Sequence, residues 1–197
     1  MVISAWHLFQ DTRDMPMSQH PMTNAFREAF RSHPAGVAVI TANPGNRPVA
    51  VTVSSLISVS AAPPVVAFSL SAKSGSSAAL LQAETMVIHL LRFCDIDLAQ
   101  LCATSGADRF GPNVAWEPLP TGEPRYTGVL TWFRARRLDL LSVEGATLVT
   151  AELMEGETRG TKDAPEAQSL VYLDRRWHRL HQQLDSAVDL LDTSRFL

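Results

Sequence analysis

Hydroxyl side chains concentrate in one stretch of this 197-residue chain, residues 49–64. Thr52, Ser54, Ser55, Ser58 and Ser60 alternate there with β-branched and aliphatic residues, and Pro63-Pro64 closes the run. Proline lacks the amide that a sheet ladder uses. In one continuous strand Thr52, Ser54, Ser58 and Ser60 share a face, because side chains alternate sides. A face of short donors suits an acceptor-rich ligand; the polar outer face of an ordinary strand has the same pattern. A second group lies in the loop 71–77, where Lys73, Ser74, Ser76 and Ser77 run into a helix pattern at 78–82. A charge, three hydroxyls and the unpaired amides of a helix start suit an anion such as a phosphate. A solvated, capped loop is the alternative. It is not a Walker A loop, because no glycine precedes Lys73.

The remaining polar residues give less. Arg109, between Asp108 and Phe110, reads as a surface ion-pair partner, and Arg134, Arg136 and Arg137 as one face or edge of an alternating strand. His89 falls inside a strand pattern and reads as a hydrogen-bonded structural residue, while His178 and His181 read as surface residues. No spacing yields a Ser-His-Asp set, a carboxylate pair or a metal-ligand cluster, so no catalytic residue and no metal ligand is named. A GxGxxG fingerprint is absent, which argues against a Rossmann nucleotide domain.

The elements that must position these residues are mostly strands. A helix capped by Thr23 or Asn24 carries Phe26, Ala29 and Phe30 and stops at Pro34. Strands follow at 37–41, from 49, at 65–70 and at 86–91, the first two joined by an Asn43–Asn46 turn. The strand at 65–70, apolar on both faces, reads as buried. Asp95 caps a helix to about Thr104 carrying Leu98 and Leu101, and a loop spans 106–124. Two long strands, 129–141 and 147–154, pair through 142–146; residues 155–167 read as a polar loop and 170–173 as a last strand. Leu180, Leu184, Val188 and Leu191 make one face of a C-terminal amphipathic helix. Many strands on short connections imply an antiparallel barrel, mainly β. Residues 1–22 show no periodicity and read as a mobile arm.

The composition is 46% hydrophobic and 19% charged, which implies a globular chain. A net charge of -3 argues against a nucleic-acid surface. Cys94 and Cys102 stand eight residues apart on one expected helix, about 12 Å at helical rise, too far for a disulfide. With no signal sequence and no apolar run of membrane length, the expected location is the cytoplasm.

The runs "FREAFRSHPAGVAVITA" and "VAVTVSSLISVSAAPPVVAFSL" resemble the flavin reductase-like family, as do "SAKSGSSAALL", "FCDIDLAQLCATSGADRF" and "SLVYLDRRWHRL". The similarity covers residues 23–180, in the family's order. It implies an FMN-binding split β-barrel, antiparallel and Greek-key-like, with a few flanking helices. By resemblance the flavin lies along Thr52, Val53, Ser54, Ser55 and Leu56, with Ser58 and Val59 just beyond. Its phosphate falls to Lys73, Ser74, Ser76 and Ser77, while Arg109 and Phe110 stand near the cofactor. Many members that use NAD(P)H carry a histidine where this chain has Ala146, and Trp177 occupies an aromatic position near the nicotinamide.

The resemblance implies a homodimer that binds FMN (or FAD) and passes hydride from NAD(P)H to flavin for a partner monooxygenase. Ala146 favours two alternatives, a flavin carrier or a flavin-dependent oxidase without NAD(P)H turnover.

Overall fold

The computed structural model describes residues 21–71, 75–159 and 168–180. Lys73, Ser74, nearly all of the expected arm 1–22 and the expected helix over 181–197 lie outside the described residues. Helix α1 (Thr23–Arg31) starts from Met22, and neither Thr23 nor Asn24 caps it. None of its residues is buried. Phe26 and Phe30 pack on each other, with ring centroids 4.4 Å apart, and Phe30 meets His33 edge-on. The helix is tied down at its end, where the Asp174 amide donates to the Arg31 carbonyl.

Short β1 (Ala35–Gly36) leads into β2 (Ala38–Ala42), buried along its whole length. Ala38 and Ile40 face one core with Phe68, Leu70, Leu80, Met86 and Val149. Val37 and Val39 face a second with Ala99, Cys102, Tyr126 and Leu170. The turn to β3 (Val49–Val53) holds Gly45 and Asn46 at φ of 62° and 58°, the left-handed conformation for which Gly and Asn are the usual residues.

The hydroxyl-rich stretch is not one strand. β3 ends at Val53, and β4 (Ile57–Ala61) begins after a break at 54–56. Ser55 explains the break. Its hydroxyl accepts from the Ser69 amide (2.9 Å) and donates to the Ser69 carbonyl (3.1 Å), standing in for a ladder that the backbone has left. β4 then pairs with β5 (Pro64–Ser71) through a bulge between Ser58 and Ser60.

After α2 (Gly75–Leu80) come β6 (Thr85–Leu90), α3 (Ile96–Ala103) and a small hairpin of β7 (Trp116–Pro118) and β8 (Pro124–Tyr126). That hairpin starts inside the loop expected at 106–124 and runs past its end to Tyr126. It is anchored by Glu123, whose carboxylate takes the Arg134 Nε–H at 2.8 Å and the Thr121 hydroxyl. Burial opposes the charge on Glu123, but these bonds outweigh it and hold the carboxyl below its ordinary range.

The long strands are β9 (Thr131–Val143) and β10 (Ala146–Thr158), joined by Glu144-Gly145. β10 outruns its expected end because backbone pairing with β9 carries residues 155–158, whatever their polarity. β11 (Leu170–Leu173) and β12 (Arg176–Arg179) form a second sheet with β1. β12 escapes sequence reading because its turn, Asp174-Arg175, takes φ of 54° and 61° without glycine.

The main sheet is antiparallel, ordered β3-β2-β6-β9-β10-β5-β4. Its ends, β3 and β4, are not paired, so the sheet curls as a split barrel and does not close.

Candidate functional site

The split between β3 and β4 opens onto the largest cavity, about 900 Å3 in volume. Its walls are residues 51–55, 69–71, 75–77, 102–103, 105–106 and 109. Seven of these are serines, one is arginine, and none is a carboxylate. Such a wall favours a ligand with many acceptors and a negative charge.

Thr52, Val53, Ser54 and Ser55 line the cavity as expected. Two of the hydroxyls have other duties. Thr52 donates to the Ala99 carbonyl (2.8 Å) and ties β3 to α3, and Ser55 is committed to Ser69. Leu56 packs on the first core instead. Ser58 and Val59 have passed onto exposed β4 and do not line the cavity. The one-strand geometry that would have put Ser58 beside Ser54 is lost at Ser55.

Ser76 and Ser77 lie in the first turn of α2 and not in a preceding loop. A helix of six residues adds little dipole. The charge in the described wall is that of Arg109. Its Nη1–H donates to Ser76 Oγ (2.7 Å) and its Nη2–H to the Thr104 carbonyl (2.8 Å). Nε is buried with no partner. Arg109 is therefore a wall residue, not the surface ion-pair partner that its neighbours in sequence suggest. A donor left over beside Ser76 fits a phosphate, and the half-buried Val51 offers apolar surface to a flat ring.

Phe110 does not line the cavity. Its ring stacks on Tyr126 (5.8 Å, 5°) and meets Trp116 edge-on at 5.1 Å, which props the turn carrying Arg109. Trp177 lines a smaller pocket of about 150 Å3 with Val37 and Tyr172, sharing Thr52, Val53, Ser54 and Ala103 with the main cavity. Ala146 is elsewhere, paired with Ser71 across the β10–β5 ladder at the cavity rim. The structure does not bring Ala146 and Trp177 into one pocket.

Ser69, Ser71, Cys102 and Ser105 are wall residues that sequence reasoning missed. Outward-facing serines at the end of β5 were a usable signal. On α3 the large Leu98 and Leu101 drew attention, whereas the fully buried residues are the small Ala99 and Cys102, which let the helix approach the sheet. Burial pushes the Cys102 thiol up, against the opposing pull of its Tyr126 bond and of Arg109. His89 is structural, as its place in a strand implied. Its Nε2 accepts the Tyr126 amide (3.0 Å), so Nδ1 carries the proton toward the Val39 carbonyl (3.1 Å). Burial holds its pKa down at about 4, which the Val39 bond only partly offsets. Among the described residues no cluster is built to hold a metal, and no helix is long and apolar enough to cross a membrane.

Comparison with known proteins places this site among relatives. The flavin reductase like domain model matches residues 30–181. An NADH:FMN oxidoreductase of Rhodococcus qingshengii is 39% identical over 154 residues, 78% of this chain and 80% of that protein. The reductase component of a 4-nitrophenol 4-monooxygenase/4-nitrocatechol 2-monooxygenase from Rhodococcus opacus is 32% identical over 72% of this chain and 78% of that protein. In structure, a flavin reductase domain protein from Arthrobacter sp. FB24 superposes with a TM-score of 0.74 at 28% identity, covering 81% of this chain and 96% of that one.

Proposed function

The chain belongs to the flavin reductase-like domain family, and on that premise we propose that it is an NADH:FMN oxidoreductase that supplies reduced flavin to a monooxygenase. The observation that carries this reading is the cavity itself: a carboxylate-free, serine-rich wall with one arginine, whose Nε has no partner. Arg109, Ser76 and Ser77 hold the phosphate; by resemblance Lys73 and Ser74 join them. Val51 provides apolar surface for the ring, beside Thr52 and Ser54. Flavin, when bound, supplies the hydride acceptor. The chain's own residues bind and align the two partners in contact, and no side chain is needed as acid or base.

Trp177 and Tyr172, packed at 4.8 Å between ring centroids, flank the cavity where a second flat ring can enter, and we assign them to the nicotinamide. The named relatives favour NADH and FMN over NADPH and FAD. We place the protein in the cytoplasm, where Cys94 and Cys102 stay free thiols. We also propose a homodimer, supported by an apolar patch (Ile57, Leu141, Val143, Leu148) on the outer sheet face beside the cavity mouth.

An anaerobic mix of flavin-loaded protein with NADH, followed by the flavin's visible absorbance, tests the reading. Rapid bleaching is expected. A flavin that binds but that neither NADH nor NADPH reduces would move the protein to the carrier or oxidase reading that Ala146 favours.

A further inference from the structure

Behind the cavity wall runs a continuous hydrogen-bonded strut. Tyr126 stands at the end of β8, almost fully buried, with its amide on His89 Nε2 (3.0 Å). Its hydroxyl has one proton to give, and it gives it to the Arg109 carbonyl at 3.0 Å. Cys102 Sγ lies 3.4 Å from the same oxygen, so the thiol must be the donor in that contact. The order is thus fixed: thiol to phenol oxygen, phenol proton to the Arg109 backbone.

From Arg109 the guanidinium continues to Ser76 and Thr104. The Phe110 ring, next in sequence, lies flat on Tyr126. Tyr126 therefore grips the Arg109–Phe110 step twice, by a hydrogen bond and by a ring face. Arginine has a long, rotamer-rich side chain, and a fixed backbone is what lets its fork lose little entropy on meeting an anion.

We propose that Tyr126, backed by Cys102, is a positioning residue that holds Arg109 where the flavin phosphate is recognised. Tyr126 does not line the cavity, so its effect passes through Arg109. The inference rests on the flavin reading above.

The test compares two ligands that differ only in the phosphate, FMN and riboflavin, by titration of flavin fluorescence with the full-length protein. In Y126F the ring stays and the hydroxyl goes. The expected result is FMN affinity about 5- to 10-fold weaker with riboflavin affinity unchanged, on the scale of one hydrogen bond. Equal weakening of both flavins would mean a merely structural role and would overturn the proposal, as would an unchanged FMN-to-riboflavin ratio. If Y126F does not fold, C102A carries the same comparison; Cys102 also lines the cavity, so a loss common to both flavins is discounted and only the FMN-to-riboflavin ratio reads the strut. A two- to threefold fall in the ratio is expected there, and no change rejects the strut. Wild-type protein that binds neither flavin would sink the flavin reading itself, an outcome distinct from these.

Discussion

At the scale of single residues, the described wall of the cavity holds one charge. Arg109 already spends two of its donors on Ser76 and Thr104 and keeps a buried Nε free. A hydrogen bond to a charged group contributes about 1.5–3 kcal/mol, so Arg109→Ala should weaken FMN binding about 10- to 100-fold and leave riboflavin binding nearly unchanged. Fluorescence titration of both flavins checks this, and a riboflavin loss as large as that of FMN would show that Arg109 only props the wall. Residue identity made part of this site legible. The serines and threonine of 52–55 and 76–77 stood out as hydroxyls gathered without carboxylates. What sequence could not show is how those hydroxyls are spent: Thr52 on the Ala99 carbonyl, 47 positions away, and Ser55 on Ser69. Nor could it show that Arg109, beside an aspartate in sequence, turns its guanidinium to Ser76. Such partners depend on tertiary approach, which has no local signature.

At the scale of elements, the site exists because the strand after β3 breaks. Periodicity identified the strands at 37–41, 86–91, 129–141 and 147–154, since alternation against a core is a local signal. It missed β12, with its glycine-free turn, and the short β7–β8 hairpin. It also ran β3 into β4, because the residues at 54–56 fit a strand as well as a bend. Ser55→Ala removes both bonds that replace the ladder at that bend. As these bonds are exposed, the expected cost is about 1 kcal/mol, or a melting temperature lower by about 2–4 °C for a chain of this size. FMN and riboflavin should weaken together, since the bend shapes the ring bed. An FMN-only effect would place Ser55 at the phosphate instead. His89 makes the complementary junction, joining β6 to β2 and β8 through its two nitrogens. Its folded pKa of about 4 lies below the ordinary 6.5. The unfolded chain therefore binds the proton first as pH falls, and stability drops from about pH 6.5 down to about pH 4. The loss levels off below that pH, at about 3 kcal/mol. Urea unfolding at pH 7.5 and pH 4.5 reads the difference for wild type. His89→Gln lacks the titration and should flatten that part of the profile; an equally steep profile in the variant would assign the pH dependence to other groups.

At the scale of the whole molecule, the described chain leaves an apolar surface beside the cavity. Leu148 pairs with Leu141 on β9 and with Ser69 on β5, so all three share the outer sheet face. Val143 and Ile57 join that face by register, and Ile57, Leu141 and Val143 are each about 60% exposed. A contiguous apolar patch of this kind marks an interaction site on a protein that is otherwise charged and globular. Ser69 and Ser71, on the same strand face, line the cavity itself. A second copy seated on the patch would therefore also cover the open side of the cavity, excluding water where hydride must pass between two rings. The double variant Leu141→Asp/Leu148→Asp buries two charges in that seam and tests it without touching either core, because both side chains point outward. Light scattering should read a dimer for wild type and a monomer for the variant, with the far-ultraviolet circular dichroism of the two superimposable. Flavin affinity should fall in the monomer, as one wall of the site is lost. A variant that stays dimeric would move the seam elsewhere, with the paired Phe26 and Phe30 of α1 the next exposed apolar surface to examine. A monomer that keeps full flavin affinity would instead show that one copy of the chain completes its own site.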